Sequence, residues 1–253
     1  MTQQTHRSGA ASLRGLAENR MLLDHQVMDQ PTLDWIAEMR PEVAAAPPTL
    51  PHLPLMLVPE ATWFAQPRCV DSIHGVRHNA RVSLLSSILA LEYGLDRDHR
   101  AALCAAAAVH DCQRHNDRDD PGHGRRATAW FTRNHAAVTG MIGRELPQDV
   151  LAQAATAISL HDVPYERFTV QQNQRYQRAP HLIDLLKVAD CLDRYRLPLA
   201  RWWPDPSHLR LVPPDWLHAT AHDLVVRSEQ ARLDGASNHR ALIHARQITD
   251  PAQ

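Results

Sequence analysis

The sequence has little net charge, few cysteines and no long apolar run. The formal net charge of the 253 residues is −1 at pH 7, so no strong global field is available to hold a nucleic acid or an anionic membrane. Any anionic ligand must therefore be held by local charge. We expect a small-molecule partner and no membrane, the sequence carries no strong nucleic-acid signal, and it leaves the oligomeric state open.

The cysteines exclude two common structural roles. The four cysteines form no C-x-x-C pair and lack zinc-finger spacing, and they are too few to staple a chain of this length. The N-terminal stretch carries no apolar run of the signal-peptide kind. The longest apolar run, 101–109, is far shorter than the roughly 20 residues of a membrane span. These absences predict free thiols and a cytoplasmic protein.

Strand patterns are also scarce, and only 209–212 resembles a short strand. Apolar residues instead recur at helical spacing. The sequence predicts an all-α helical bundle with one or two helices in 1–45, a proline-rich extended stretch at 46–67 and a polar loop at 112–124. The main helices are predicted at 73–93, 97–111, 125–135, 148–161, 181–194, 214–233 and 238–247.

We expect one domain with additions at both ends. The predicted organisation is an N-terminal helical and extended segment at 1–70 that packs on the main body, a helical core at 71–200, and C-terminal helices at 201–253 that complete the bundle. The alanine-rich helix that ends near residue 109 has no polar face, which is typical of a central helix.

Histidine is abundant, with seventeen residues, and it is the commonest metal ligand in proteins. The dipeptide His-Asp occurs three times, so context must distinguish the copies. His110-Asp111 follows the most apolar helix and opens a polar loop. Charged groups at the end of a buried helix are costly unless they are paired or bind a metal. An imidazole and a carboxylate together suit a divalent ion such as Mn, Fe, Co, Ni or Zn.

Two further segments carry candidate ligands. Upstream, His74 and His78 are four residues apart and therefore share a helix face. Downstream, Asp190 interrupts an otherwise apolar helix, where a carboxylate needs a partner. By contrast, the aspartates of the polar loop, at 117, 119 and 120, are expected to be solvated.

These segments resemble, in order, the HD-domain metal-dependent phosphohydrolase superfamily. The resemblance covers about 72–196 and consists of H-x-x-R-V from His78, the dyad His110-Asp111, and K-x-A-D-x-L-D-R from Lys187. It implies an HD-like helical bundle whose metal ligands are His78, His110, Asp111 and Asp190.

Members of that superfamily with two metals add histidines in two later intervals. By resemblance, His123 and His161 would hold a second ion, with Asp111 as the bridge between the two. Some relatives also place a ligand four residues before the first histidine, which corresponds to His74. The expected cofactor is therefore one or two divalent transition-metal ions.

The resemblance implies hydrolysis of a phosphomonoester or phosphodiester of a nucleotide or similar small molecule by metal-activated water. Besides Asp111, Arg114 and Lys187 are the expected catalytic groups. Arg81, Arg125 and Arg126 are expected to bind the anionic substrate. Two alternatives stay open, namely a di-iron oxygenase on the same scaffold and a non-catalytic helical signalling module.

Overall fold

The computed structural model describes residues 11–44, 46–50 and 52–249, and within these ranges all regular secondary structure is helical. None of the described helices combines the length and the apolar character that crossing a membrane requires. Several short 3₁₀ turns connect the α-helices, which are α1 (Leu13–Glu18), α2 (Gln30–Glu38), α3 (Val76–Glu92), α4 (Arg97–Val109), α5 (His123–Gly140), α6 (Gln148–Leu160), α7 (Val170–Tyr176), α8 (Pro180–Leu192), α9 (Asp215–Leu233) and α10 (Asn238–Arg246).

Helix α4 occupies the centre of the bundle, which confirms the all-α prediction and the central position of the alanine-rich helix. Each residue of 101–109 is at most 2% exposed. The helix packs against α3, α5, α6 and α8. It starts at Asp96, whose side chain accepts hydrogen bonds from the backbone N–H groups of Asp98 and His99. Small alanine side chains let the neighbouring helices approach closely, so the end of α4 is enclosed on several sides.

The proline-rich stretch is mostly extended, as predicted, and lies along α3. Its backbone N–H groups at Leu55 and Leu57 donate to the hydroxyls of Ser87 and Ser83, at 2.7 and 3.1 Å. These bonds satisfy donors that no helix partner can reach. The extended chain is thereby fixed to the helix that carries the first candidate ligand.

Described segments before α3 and after α8 both contact the core. The backbone N–H of Ile73 donates to the carbonyl of Gln26 at 2.8 Å, and Arg77 of α3 pairs with Glu229 of α9. Helix α2 also packs on α9. The division into 1–70, 71–200 and 201–253 stays a prediction.

Three local expectations differ from the structure. Helix α5 begins at His123 rather than 125 and continues to Gly140, and the sequence analysis missed α7. A capping box between Thr169 and Gln172 starts α7 and could have indicated it. The strand suggested at 209–212 was wrong, because no other described segment pairs with it and two prolines follow it.

Asp71 ties α3 to α9 and α10, and we expect its contribution to stability to disappear in acid. A hydrogen bond from Arg232, the largest effect, lowers the pKa of Asp71 to about 2, and bonds from Asn238 and the charge of Arg77 add to it. The unfolded-state pKa is about 3.9. A pKa depressed in the folded state means that the stabilisation is present above pH ~4 and is lost as the pH falls toward ~2. Urea unfolding should therefore show Asp71→Asn less stable than wild type at neutral pH and nearly equal to it near pH 2, and a constant difference would contradict this.

Candidate metal centre

The dyad lies where α4 ends. Helix α4 stops at Val109, and His110 and Asp111 form the turn that follows it. His110 is fully buried and Asp111 is 3% exposed. The backbone N–H of Asp111 donates to the side-chain oxygen of Asn79 on α3, at 3.2 Å. The dyad is therefore fixed against the helix that carries His78.

A first group of ligand atoms forms around His78. Its Nε2 lies 3.2 Å from Nε2 of His110, 3.4 Å from Oδ2 of Asp111 and 3.5 Å from Oδ1 of Asp190. Two ligand atoms that are each about 2.1 Å from one tetrahedral ion lie about 3.4 Å apart. The spacing of the first group therefore fits a bound divalent ion, and His78, His110 and Asp111 together could hold one.

A second group uses the other oxygen of the same carboxylate. Oδ1 of Asp111 lies 2.9 Å from Nε2 of His123 and 3.5 Å from Nε2 of His161, and the two imidazole nitrogens are 3.0 Å apart. These three residues could also hold a metal ion. Asp111 thus stands between the two groups, with one oxygen toward each.

The tautomers of the four histidines follow from their partners. Nδ1 of His110, His123 and His161 lies 2.7–2.8 Å from the backbone carbonyls of Ala107, Asp120 and Ile158, respectively. A carbonyl can only accept, so each Nδ1 carries the proton. Nδ1 of His78 likewise donates to Asp193, at 2.8 Å. When neutral, all four rings therefore turn an unprotonated Nε2 into the cluster.

Four lone pairs directed at one another would repel, and a cation between them removes the repulsion. Oδ1 of Asp111 is buried and has no hydrogen-bond donor within the described structure. Buried polar atoms normally have a partner. The arrangement therefore suits divalent ions bound by imidazole nitrogen and carboxylate oxygen, with partners on the outer ring nitrogens that orient the ligands.

The electrostatics favour positive charge at the cluster. Burial opposes ionisation of Asp111, but Arg114 and the neighbouring histidines hold its pKa well below the usual range. Burial also opposes ionisation of Asp190, whose pKa is kept low mainly by His110. Despite burial, the charge of Asp111 raises the pKa of His110 and His123, whereas burial lowers the pKa of His161. Protons and metal ions compete for these nitrogens.

A glycine allows the second group to form. A Cβ at Gly124, directly after His123, would lie 2.7 Å from the carbonyl oxygen of Ile158 and 3.0 Å from Nδ1 of His161. Both distances are too short for ordinary side-chain packing. Only glycine therefore lets the start of α5 approach the end of α6 closely enough for His123 and His161 to meet.

One of the arginines predicted to bind substrate lies away from the side of the cluster that is open to solvent. Arg81 was expected to bind substrate, but it is 1% exposed, and its guanidinium donates to Asp193, Glu229 and Ser228. All of its directional hydrogen bonds are directed into the core. This geometry contradicts a substrate contact and makes Arg81 a structural ion-pair partner of the residue that orients His78.

The two expected catalytic cations lie close to the cluster. Nη1 of Arg114 is 3.7 Å from Oδ1 of Asp111, and its Nε donates to the carbonyl of Asn116. Nζ of Lys187 donates to the carbonyls of His161 and Val163, at 2.8 and 2.7 Å. Burial lowers the pKa of Lys187 to about 8. Lys187 thus holds the end of α6, which positions His161.

The remaining predicted residues lie further from the ligand groups. Arg126 pairs with Asp120 at 2.6 Å, and Arg125 is exposed beside a separate groove at the start of α5. His74 joins neither ligand group. Its Nδ1 lies 3.1 Å from Oδ1 of Asp117, and burial lowers its pKa to about 3, so its imidazole is neutral at ordinary pH.

Sequence reasoning missed three supporting aspartates. Asp117 and Asp120 were expected to be solvated, but they are only 4% and 9% exposed, because they accept hydrogen bonds that close the loop after Asp111. Asp193 is fully buried and orients His78. It follows Asp190 by three residues, and that helical spacing could have indicated a shared direction.

A groove in the described part of the chain reaches the candidate ligands. The metal-side groove, of about 410 Å³, is lined by residues that include His161, Asp190, Lys187, Arg194, Arg201 and Trp203. The side chain of Asp190 is 31% exposed, whereas those of His78 and His110 are fully buried. Small molecules therefore reach the cluster from the side of Asp190.

Comparison with protein-family models, with curated proteins and with solved structures finds no match to this chain. The class that the fold and the site define is accordingly an all-helical protein with a buried His/Asp cluster that could bind metal.

Proposed function

We propose that this protein is an HD-type phosphohydrolase that uses two divalent metal ions to cleave a small-molecule phosphoester. The observation that carries the proposal is the set of four imidazole Nε2 atoms, each unprotonated in the neutral ring, that converge on the two oxygens of Asp111. A carboxylate between two metal groups is the arrangement by which two-metal hydrolases hold both ions close to one substrate.

The ligands divide into two sets. His78, His110 and Asp190 would hold the first ion and His123 and His161 the second, with Asp111 shared between them. Divalent ions in such sites supply a water of lowered pKa and positive charge beside a phosphoryl oxygen. The chain itself fixes the ligand tautomers and leaves Asp190 as the most exposed of the six ligands.

The metal-side groove carries two arginines that could bind a phosphoester, beside the carboxylates of Asp162, Glu166 and Asp205. Arg194 uses Nε to donate to the carbonyl of Trp202, which leaves its two Nη groups without a partner in the described structure. Arg201 lines the same groove and makes no ion pair with a described carboxylate. Arginine binds phosphate through paired N–H groups, so these two residues are the best placed to hold the substrate.

The second candidate is a di-iron oxygenase, which would use the same two ligand groups. A mononuclear hydrolase would not need His123 and His161 close to Asp111, yet both lie within 3.5 Å of its Oδ1. The metal-dependent reaction that the loaded protein catalyses decides between the two candidates.

The deciding experiment is an assay of the purified chain on a panel of nucleotides, phosphomonoesters and phosphodiesters, with Mn, Co, Ni, Fe or Mg supplied in turn. Chromatography of the products, rather than phosphate release alone, makes diester cleavage visible. Hydrolysis that depends on metal and disappears in Asp111→Asn would support the proposal. Oxygen consumption by the ferrous protein without hydrolysis would support the oxygenase. The absence of both reactions would support the non-catalytic module.

We expect two metal ions per chain in the wild type and one in His123→Ala. The substitution removes a ligand from the second group and leaves the first group, around His78, unchanged. Elemental analysis after equilibrium dialysis against Mn or Fe measures the ratio, with His135→Ala, a change to a partly buried histidine of the same helix, as the control. A ratio near one in the wild type, or a ratio of two in His123→Ala, would contradict the two-ion site.

A further inference from the structure

A second groove adjoins the metal-side groove and is strongly basic. This N-terminal groove has a volume of about 510 Å³. It is lined by α1 and the segment after it, by the residues just before α3, by the loop after Asp111 and by the turns after α8. Its charged and aromatic members are Arg20, Arg118, Arg194, Arg201, His74 and Trp202, with one carboxylate, Asp117.

The single carboxylate offsets only part of the charge of the four arginines. Asp117 is buried and accepts hydrogen bonds from the Gln26 backbone, the Ser72 hydroxyl and His74, at 2.8, 2.7 and 3.1 Å. These donors are neutral, so its negative charge remains beside the groove and offsets one of the four arginines. Of the arginines, only Arg118 has a carboxylate partner in the part of the chain that the structure describes, and that contact to Asp24 is long, at 3.9 Å, between exposed side chains.

The two grooves share a wall. Arg194 and Arg201 line both of them, and Arg194 follows the exposed ligand Asp190 by four residues, one helical turn. A molecule whose one end lies at Asp190 can therefore extend across Arg194 into the N-terminal groove. Trp202, partly exposed beneath Arg201, adds a flat apolar surface there.

Arg20 is held at the groove by an unusual backbone conformation. It has φ of +59°, the left-handed region, and no other non-glycine residue in the described ranges has positive φ. It follows the end of α1, where the N–H of Arg20 donates to the carbonyl of Ala17 and the N–H of Met21 to that of Leu16. Glycine is the usual residue at this position of such a helix end. An arginine there costs stability, yet it lines the groove with a side chain that has no described partner.

We propose that the N-terminal groove binds a second phosphate group of the substrate, so that the substrate is a phosphoester with phosphate at two separated positions. The assignment of the other phosphate to the metal centre rests on the proposed function. The binding of phosphate at the arginines does not rest on the proposed function, because Arg20 and Arg118 lie outside the metal-side groove.

Inorganic pyrophosphate is the probe, and isothermal titration calorimetry on the full-length protein is the measurement. Arg20→Gly should weaken pyrophosphate binding by about tenfold, because one charge-assisted contact is lost. The same variant should melt about 2 °C higher than wild type, because glycine relieves the left-handed strain. Loss of binding together with higher stability cannot be attributed to misfolding.

Four further variants complete the test. Arg20→Lys, which keeps the charge, should retain most of the affinity. Arg201→Ala should weaken binding as Arg20→Gly does, and Arg133→Ala, which removes an exposed arginine of α5, should not. Equal weakening in Arg133→Ala, or none in Arg20→Gly and Arg201→Ala, would overturn the proposal.

In Asp111→Asn the binding should persist, and its loss there would place the pyrophosphate at the metal centre instead. Absence of hydrolysis in the substrate panel with intact groove binding would overturn only the proposed function.

Discussion

Replacing Asp111 by asparagine should lower metal-dependent turnover by roughly a thousandfold or more, equivalent to ~4 kcal/mol of transition-state stabilisation. The substitution preserves the size of the side chain but removes the negative charge that both ligand groups share. It also replaces one of the two ligand oxygens by an NH₂ group, which cannot bind a cation. Because Oδ1 and Oδ2 each face a different pair of histidines, a single change affects both groups.

The measurement is the initial rate of product formation with saturating metal, together with the metal content of the purified variant. Asp119→Asn makes the same chemical change in the same loop at an exposed position and should leave both quantities unchanged. Circular dichroism and the melting temperature show whether the variant is folded. If Asp111→Asn keeps more than a tenth of the wild-type rate and its two ions, the shared carboxylate is not the centre of the site.

Arg81→Met should be among the most destabilising substitutions in the chain, at about 3 kcal/mol. Arg81, Asp193 and Glu229 are all at most 3% exposed, and the guanidinium donates to both carboxylates. Methionine is of similar length and fills the space, but it leaves two carboxylates buried without this partner. Removing one partner from a buried ion pair is costly because the remaining charge cannot be solvated.

Urea unfolding at pH 7 measures the change in the free energy of unfolding, and Arg40→Met is the matched control. Arg40 pairs with Asp223 at 2.8 Å, but the two side chains are 52% and 29% exposed, so water replaces the lost contact. We expect the control to cost below about 1 kcal/mol. Equal losses in the two variants would show that the buried network contributes no more than a surface pair.

The buried helix and the His-Asp dyad that follows it could be predicted from the sequence, because their pattern lies within consecutive residues. The uncharged run at 101–109 indicates a buried helix by itself, and His110-Asp111 is conspicuous because it follows that helix directly. The resemblance to the HD-domain superfamily implied His123, His161 and Asp190 as ligands, and the structure brings all three to within 3.7 Å of another candidate ligand atom.

The role of Arg81 could not be predicted, because its partners are far away in sequence. Glu229 lies 148 residues later, and no periodicity in α3 distinguishes an arginine that enters the core from one that faces a substrate. The same reason applies to Asp117, which accepts from the backbone of Gln26 across 91 residues. The stretch at 209–212 suggested a strand from its own residues alone. A strand exists only when a second strand pairs with it, which those residues do not reveal.

The hydrogen-bond partner of Nδ1 differs among the candidate ligand histidines, and it determines which of them a substitution at the partner residue can affect. For His110, His123 and His161 the partner of Nδ1 is a backbone carbonyl three residues earlier, which every amino acid supplies. Side-chain substitutions at those three carbonyl positions therefore leave the tautomers of these rings intact. His78 depends instead on the carboxylate of Asp193. Within this set of four, that pair is where a single side-chain substitution can change metal affinity by degrees, so divergence among homologues should concentrate there.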